Sequence, residues 1–200
     1  MAAPENLHQN LPEAATGTVE WTVGEVYPVV PGRLCFAVHR DEHHTAQAIR
    51  DRPGLFYFST CDHENYIKYC HDFGPTDLAG VVSFCRRLRS LMNDPRLNNR
   101  PVVYYSDMHQ GGGVGAEFRT NAAFLLGAYL ILEQGYTPEE AFAPFSRIGP
   151  SPFLSFRDAS FLESDFDLSI LDCLKGLARG FHEGWLDVDS FDVDRYHAVP

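Results

Sequence analysis

Cysteine is scarce in this chain: five residues in 200, with none between Cys85 and Cys173. The odd count and scattered places (Cys35, Cys61, Cys70, Cys85, Cys173) do not describe a disulfide framework and point to reduced thiols. Positive charge is also short. Sixteen Lys and Arg against 27 Asp and Glu leave a net charge of −11. That excess argues against nonspecific nucleic-acid binding and against anionic membrane surfaces, and it suits a cationic partner or simple solubility. The longest apolar run, Ala122–Leu132, is far below the roughly 20 residues a membrane span requires. The polar start, Met1 to Asn6, has no basic-then-apolar leader. Internal repeats, low-complexity tracts and a dividing linker are all missing. A soluble cytoplasmic or nuclear protein is the expectation, with neither nucleic acid nor membrane as partner.

What is present suits one domain. Apolar and charged fractions of 44% and 22% are those of a globular chain long enough to bury a core. Residues 1–20 read as a disordered lead and 21–200 as the domain. Strands are expected at Arg33–Val38, Leu55–Ser59 and Pro101–Ser106, the last apolar enough to be central. His39 to Pro53 is polar and reads as loop, and Glu64 to Tyr69 as a brief helix. Thr76 or Asp77 caps a helix through Leu78, Val81, Val82, Cys85, Leu88 and Met92, which Asn93-Asp94-Pro95 ends. Ala122–Leu132, apolar all round, predicts a helix buried on several sides. Thr137-Pro138-Glu139-Glu140 opens another, and Asp167 a last one that ends at Gly184. Alternating strands and helices predict an α/β fold, a mostly parallel sheet flanked by helices.

The most suggestive stretch follows the third strand. Gly111-Gly112-Gly113-Val114-Gly115 leads to Glu117, then Arg119-Thr120, then the buried helix. That is the layout of a cysteine phosphatase loop, His-Cys-x5-Arg-Ser/Thr, in which a low-pKa thiolate attacks phosphorus while backbone N–H groups and the arginine hold its oxygens. Counting back from Arg119 puts Gly113 at the nucleophile's place and Gly112 at the histidine's. Glycine attacks nothing, and Glu117 puts negative charge inside the cradle. Catalysis by this loop is therefore not expected. The degenerate loop comprises Gly112, Gly113, Gly115, Arg119 and Thr120. Arg119 either binds an anion or ties the loop to a carboxylate such as Asp158.

Such chemistry also needs an acid on a separate loop. Asp72, in Asp72-Phe73-Gly74-Pro75, stands where one would be, although the same residues read more simply as a turn before a helix cap. Other motifs fail. Cys61-x-His63 and Cys70-His71, with His43, His44 and His109 as extras, match no compact zinc spacing, so no metal is expected. Gly111-x-Gly113-x-x-Ala116 lacks the third glycine of a dinucleotide fingerprint, and no Gly-Lys-Ser/Thr exists for a triphosphate. No cofactor is expected.

Seven segments in order carry a family resemblance: Tyr57-Phe58-Ser59, the acid-like loop, Thr120 to Tyr129, Thr137 to Ala141, Phe156 to Ser160, Leu168 to Gly176, and Phe191 to Asp194. Together they resemble the N-terminal, non-catalytic half of the Cdc-fourteen dual-specificity protein phosphatases, over about residues 27 to 197. The resemblance implies a protein-tyrosine-phosphatase-like fold that has lost its catalytic motif. It also implies a part in an acidic substrate groove, for which Glu139, Glu140 and Asp158 are the candidates by position. The implied partners are a catalytic phosphatase chain or a basic or phosphorylated peptide. Two departures stand out. The glycine loop is longer than the family's, and the sequence stops at Pro200 where the family continues into a catalytic domain. A scaffold or pseudophosphatase module is one expectation; the other is part of an active phosphatase whose catalytic domain lies elsewhere or acts in trans.

Overall fold

A computed structural model describes residues 17–60, 66–107 and 115–198. Its centre is a four-stranded sheet. A hairpin of β2 (Val26–Val30) and β3 (Leu34–His39) turns at Gly32, whose positive φ of 70° favours glycine. β4 (Phe56–Phe58) and β5 (Val102–Asp107) complete the sheet in the order β2-β3-β5-β4. β3, β5 and β4 run parallel and β2 antiparallel. All six residues of β3 are buried, because both faces of the sheet are covered. The expected mostly parallel sheet and the interior place of the Val102 strand are what the structure has.

Side-chain alternation divides the strands between two layers. Leu34, Phe36, Val38, Val102 and Tyr104 face the main core with α2 (Leu78–Met92) and α3 (Gly115–Gln134). Cys35, Ala37 and Val103 form a smaller cluster on the other face with Tyr57 and Tyr105. α3 is wrapped on several sides by α2, α4 (Pro138–Ser146) and α5 (Ile170–His182) as well as β5. That environment is why its sequence lacks a polar face. α5 closes on α3 at Gly127, where a Cβ would sit 2.7 Å from a methyl of the buried Leu174 and force that side chain to shift.

Several boundaries differ from expectation, each for a local reason. The stretch read as loop, His39 to Pro53, contains α1 (Glu42–Asp51), capped by Asp41 accepting from the His44 N–H at 2.8 Å. It was hidden because it buries only Thr45 and so shows no apolar stripe. Tyr66–Tyr69 is not helical; Glu64 and Asn65 lie outside the described residues. The last long helix opens at Ser169, not Asp167: Ser169 and Asp172 form a reciprocal capping box, while Asp167–Leu168 make a short strand against Phe156–Arg157. It closes as expected at Gly184, where Trp185 N–H bonds to Gly180 C=O and Gly184 N–H to Phe181 C=O in a Schellman turn. Residues 1–16 of the expected disordered lead lie outside the described residues, and β1 (Val19–Glu20) pairs in parallel with β6 (Ile148–Gly149). The largest correction is α3, which begins at Gly115, seven residues before Ala122.

Candidate functional site

Parallel strands leave their carboxyl ends as the place where an α/β fold builds a site. Here β3, β4 and β5 end on the same side, and β5 packs against α3. Buried polar residues gather at this end: His39 and Asp107 close β3 and β5, Thr60 follows β4, and Thr120 and Asn121 belong to α3. Gly112 and Gly113 of the degenerate loop lie outside the described residues, as do Gly111, His109, Cys61 and His63. Gly115, Glu117, Arg119 and Thr120 are described, and all four are helical.

A helical backbone from Gly115 onward changes what Arg119 can do. A phosphate cradle wraps its N–H groups around the anion, whereas helical N–H groups beyond the first turn are bonded within the helix. Arg119 turns aside: its Nε donates to the Pro152 carbonyl at 2.7 Å, and its guanidinium lies over the Trp21 ring at 5.2 Å. Burial lowers its pKa from the ordinary value. No carboxylate among the described residues pairs with it, so the expected tie to Asp158 is replaced by a backbone carbonyl and an indole. The Thr120 hydroxyl donates to Ala116 C=O and accepts from Leu154 N–H. Glu117 is neutralised by Lys68 at 2.5 Å.

The acid-like loop is equally engaged. Asp72 is buried; it accepts from the N–H groups of Cys70 and Tyr69 at 2.7 and 2.9 Å and from the Tyr66 hydroxyl at 2.6 Å. These bonds, the Cys70 N–H foremost and then the Tyr66 hydroxyl, hold its carboxyl at about 2, while the same Tyr66 bond pushes that phenol up to about 12. A proton donor must hold a proton at working pH, and a carboxyl at about 2 does not. Asn121 fastens the loop to α3, accepting from Thr76 N–H and donating to Gly74 C=O. A Cβ on Gly74 would lie 2.7 Å from the Tyr66 ring, so the turn admits only glycine without rearrangement.

Asp72 therefore makes a pH-dependent contribution to stability. Because folding lowers its pKa below the ordinary 3.8, that contribution is present above about pH 4 and is lost as pH falls toward 2. Asp72→Asn is expected to lower the thermal midpoint at neutral pH. Melts of the two proteins by circular dichroism should converge between about pH 4 and 2. A constant gap across that window would show that the charge contributes nothing.

The groove candidates fall in two places. Glu139 and Glu140 start α4, just beyond the C-terminus of α3, a helix of 20 residues and so about 30 Å long. Glu140 is held in a capping box by Thr137, and Glu139 pairs with Lys175 at 3.2 Å. Asp158 follows β7 (Phe156–Arg157), which bonds to the acid-like loop through Phe73, and it accepts from the hydroxyls of Ser160 and Ser164. The structure thus brings Asp158 beside Asp72 and sets Glu139 and Glu140 at the far end of α3. Three of the thiols offer little chemistry. Burial pushes Cys35 up to about 12 and Cys173 to about 11, and it raises Cys85 as well. Sequence reasoning passed over Trp21, Lys68, Tyr66 and Pro152, whose importance lies in what they touch.

A family model described as dual specificity protein phosphatase, N-terminal half, matches residues 28–180. The chain belongs to that family. It is 38% identical over 152 residues to human dual specificity protein phosphatase CDC14A, covering 74% of this chain and 25% of that protein. It is 35% identical over 167 residues to CDC14AB of Danio rerio, 84% of this chain and 25% of the relative. With the tyrosine-protein phosphatase CDC14 of Saccharomyces cerevisiae it shares 33% over 146 residues, 73% of this chain and 25% of the relative. The chain spans about a quarter of the length of these relatives. As the N-terminal half of a CDC14-type dual specificity phosphatase, it has the phosphatase-like α/β fold, in which Asn121 ties the acid-like loop to the start of α3.

Proposed function

We propose that this domain is a non-catalytic binding and scaffold module that serves a catalytic phosphatase domain, carried in the same polypeptide or supplied in trans. One observation carries the reading. Among the described residues, the side chains of the two loops are each bonded to a neighbour: Arg119 to Pro152, Thr120 to Leu154, Glu117 to Lys68 and Asp72 to Tyr66. A second supports a binding role. The hairpin between Asp158 and Asp167 exposes Phe161, Leu162 and Phe166 among Glu163 and Asp165, and the exposed Ile67 and Tyr69 lie in the segment joined to it by the Cys70 thiol and the Ser160 carbonyl. Arg157, donating to the carbonyls of Ser160 and Leu162, stiffens the hairpin. Exposed apolar side chains in such number mark a contact surface. The acids around them suit a basic or phosphorylated basic peptide.

The purified chain is expected to show no turnover of p-nitrophenyl phosphate above background. It should bind a basic phosphoserine-proline peptide saturably, and added salt should weaken that binding. Glu163→Lys should weaken it roughly fivefold, as loss of one charge pair at a partly screened surface would. Glu139→Lys, at the other end of α3, should leave it within about twofold. Turnover abolished by a single Cys→Ser change would overturn the non-catalytic reading. The reading as part of an active Ser/Thr/Tyr phosphatase is favoured by the quarter-length match to each relative, and a catalytic domain whose activity rises when this chain is added would support it.

A further inference from the structure

The sheet has a second end, and a cleft opens there. At the amino-terminal edge of the parallel strands, where Phe56 of β4 sits beside Val102 of β5, a cavity of about 290 Å³ lies between the strand start, the end of α2 and the turn that follows it. Its floor is apolar: Phe56, Leu91 and the buried Leu97. Its rim holds two guanidinium groups, Arg96 and Arg100, and one carboxylate, Asp94. In a chain carrying a net −11, a cleft with an excess cation is a local reversal of sign.

Both arginines are held in place by one side of the fork and keep the other side open. Asp94 accepts from Arg96 Nε at 3.0 Å and from its Nη2 at 2.6 Å, leaving Nη1 without a partner among the described residues. Arg100 Nη2 donates to the carbonyls of Pro53 and Leu55 at 3.1 and 2.8 Å. Its guanidinium stands 5.9 Å from the Phe56 ring centre, with Nε and Nη1 unused among the described residues. Fixed guanidinium donors beside an apolar floor lose little entropy on binding a carboxylate. The volume lies at the lower limit of ligand pockets, about 300 Å³, which suits one or two amino-acid side chains rather than a nucleotide cofactor.

We propose that this cleft docks a short linear segment of a partner protein, one that presents a large apolar side chain next to a carboxylate. The apolar side chain fills the floor over Leu91 and Leu97, and the carboxylate meets the open N–H groups of Arg96 and Arg100. This chemistry is opposite in charge to that of the Asp158 hairpin, and the cleft lies at the strand starts, whereas the hairpin is joined through Arg157 and Phe73 to the loop that Asn121 ties to α3. A partner held here leaves the other end free, so the site acts independently of the function proposed above.

The test uses a fluorescein-labelled peptide, Ser-Glu-Leu-Phe-Glu-Ser, titrated with the full chain and read by anisotropy. Saturable binding is expected. It should weaken roughly tenfold with Arg96→Glu and similarly when the peptide glutamates become glutamine, the effect of losing a charge-assisted contact. The Arg96 side chain is 88% exposed, so its replacement is expected to leave the melting curve close to the parent's. Replacing the peptide's Leu and Phe by glycine should abolish binding. Amide shifts in a nitrogen–proton spectrum should fall on Phe56, Leu91, Leu97 and Arg100. Absence of saturation, binding indifferent to Arg96→Glu, or shifts centred on the 158–166 hairpin would each overturn the proposal.

Discussion

Phe36→Ala is expected to lower the unfolding free energy by about 3–5 kcal/mol, the range for removing a large aromatic from a close-packed core. Phe36 is fully buried at the middle of β3; its ring stands edge-on to Phe145 of α4 at 5.9 Å and tilted against Phe153 at 6.3 Å. It therefore joins the sheet to α4 and to the segment that also receives Arg119. Truncation leaves a cavity that close-packed neighbours fill only in part. For a chain of this size each kcal/mol moves the midpoint by about 2–4 °C, so a fall of about 6–20 °C is expected. Phe36→Leu keeps most of the volume and should cost less than about 1.5 kcal/mol. Urea unfolding followed by circular dichroism measures both. A loss below about 1 kcal/mol for the alanine variant would mean that α4 is not docked on β3 as described.

The second large effect tests the reading of the degenerate site itself. Arg119→Ala should destabilise the fold by about 2–3 kcal/mol, since a hydrogen bond from a charged donor contributes about 1.5–3 and a cation–π contact about 0.5–1 or more. Arg119→Lys should recover little, because an ammonium on a flexible stem does not reach the Pro152 carbonyl and stack on Trp21 in the same geometry. An arginine kept to hold phosphate would behave differently. Inorganic phosphate at 100 times its Kd would then stabilise the chain by about 2.7 kcal/mol, and the gain would vanish in the alanine variant. The expected result is no phosphate-dependent stabilisation in either protein. A phosphate effect confined to the arginine-containing protein would show that the site opens to anions.

Much of the fold was legible because local chemistry dictates it. The Val102 strand could be placed as central from its apolar run, and α4 from Thr137, Pro138 and Glu140, which cap it as their types require. α1 was not legible, since a helix resting on the sheet by little more than Thr45 shows no periodic stripe. The start of α3 was misplaced for the opposite reason. Glycines and Glu117-Phe118-Arg119 read as a loop by composition, yet Phe118 and Thr120 are buried and the first turn is held by tertiary contacts. Tertiary packing overrides a weak local preference.

The site divides along the same line. Residue identities alone decided that Gly113 stands six positions before Arg119, where the loop pattern needs a nucleophile, that Cys85 shares the apolar stripe of its helix, and that the ordered motifs resemble the dual specificity phosphatase family, whose model matches residues 28–180. Those conclusions need only side-chain types and their order. What the remaining polar groups do was decided by partners distant in sequence: Pro152 lies 33 residues from Arg119 and Lys68 lies 49 from Glu117. Even the nearby pair of Asp72 and Tyr66 depends on how the turn at Gly74 presents them. A charged group beside a cleft is equally ready to bind a ligand or a neighbour. Only the fold, by bringing a carbonyl, an indole, an ammonium and a phenol within reach, determined that these groups hold the domain together.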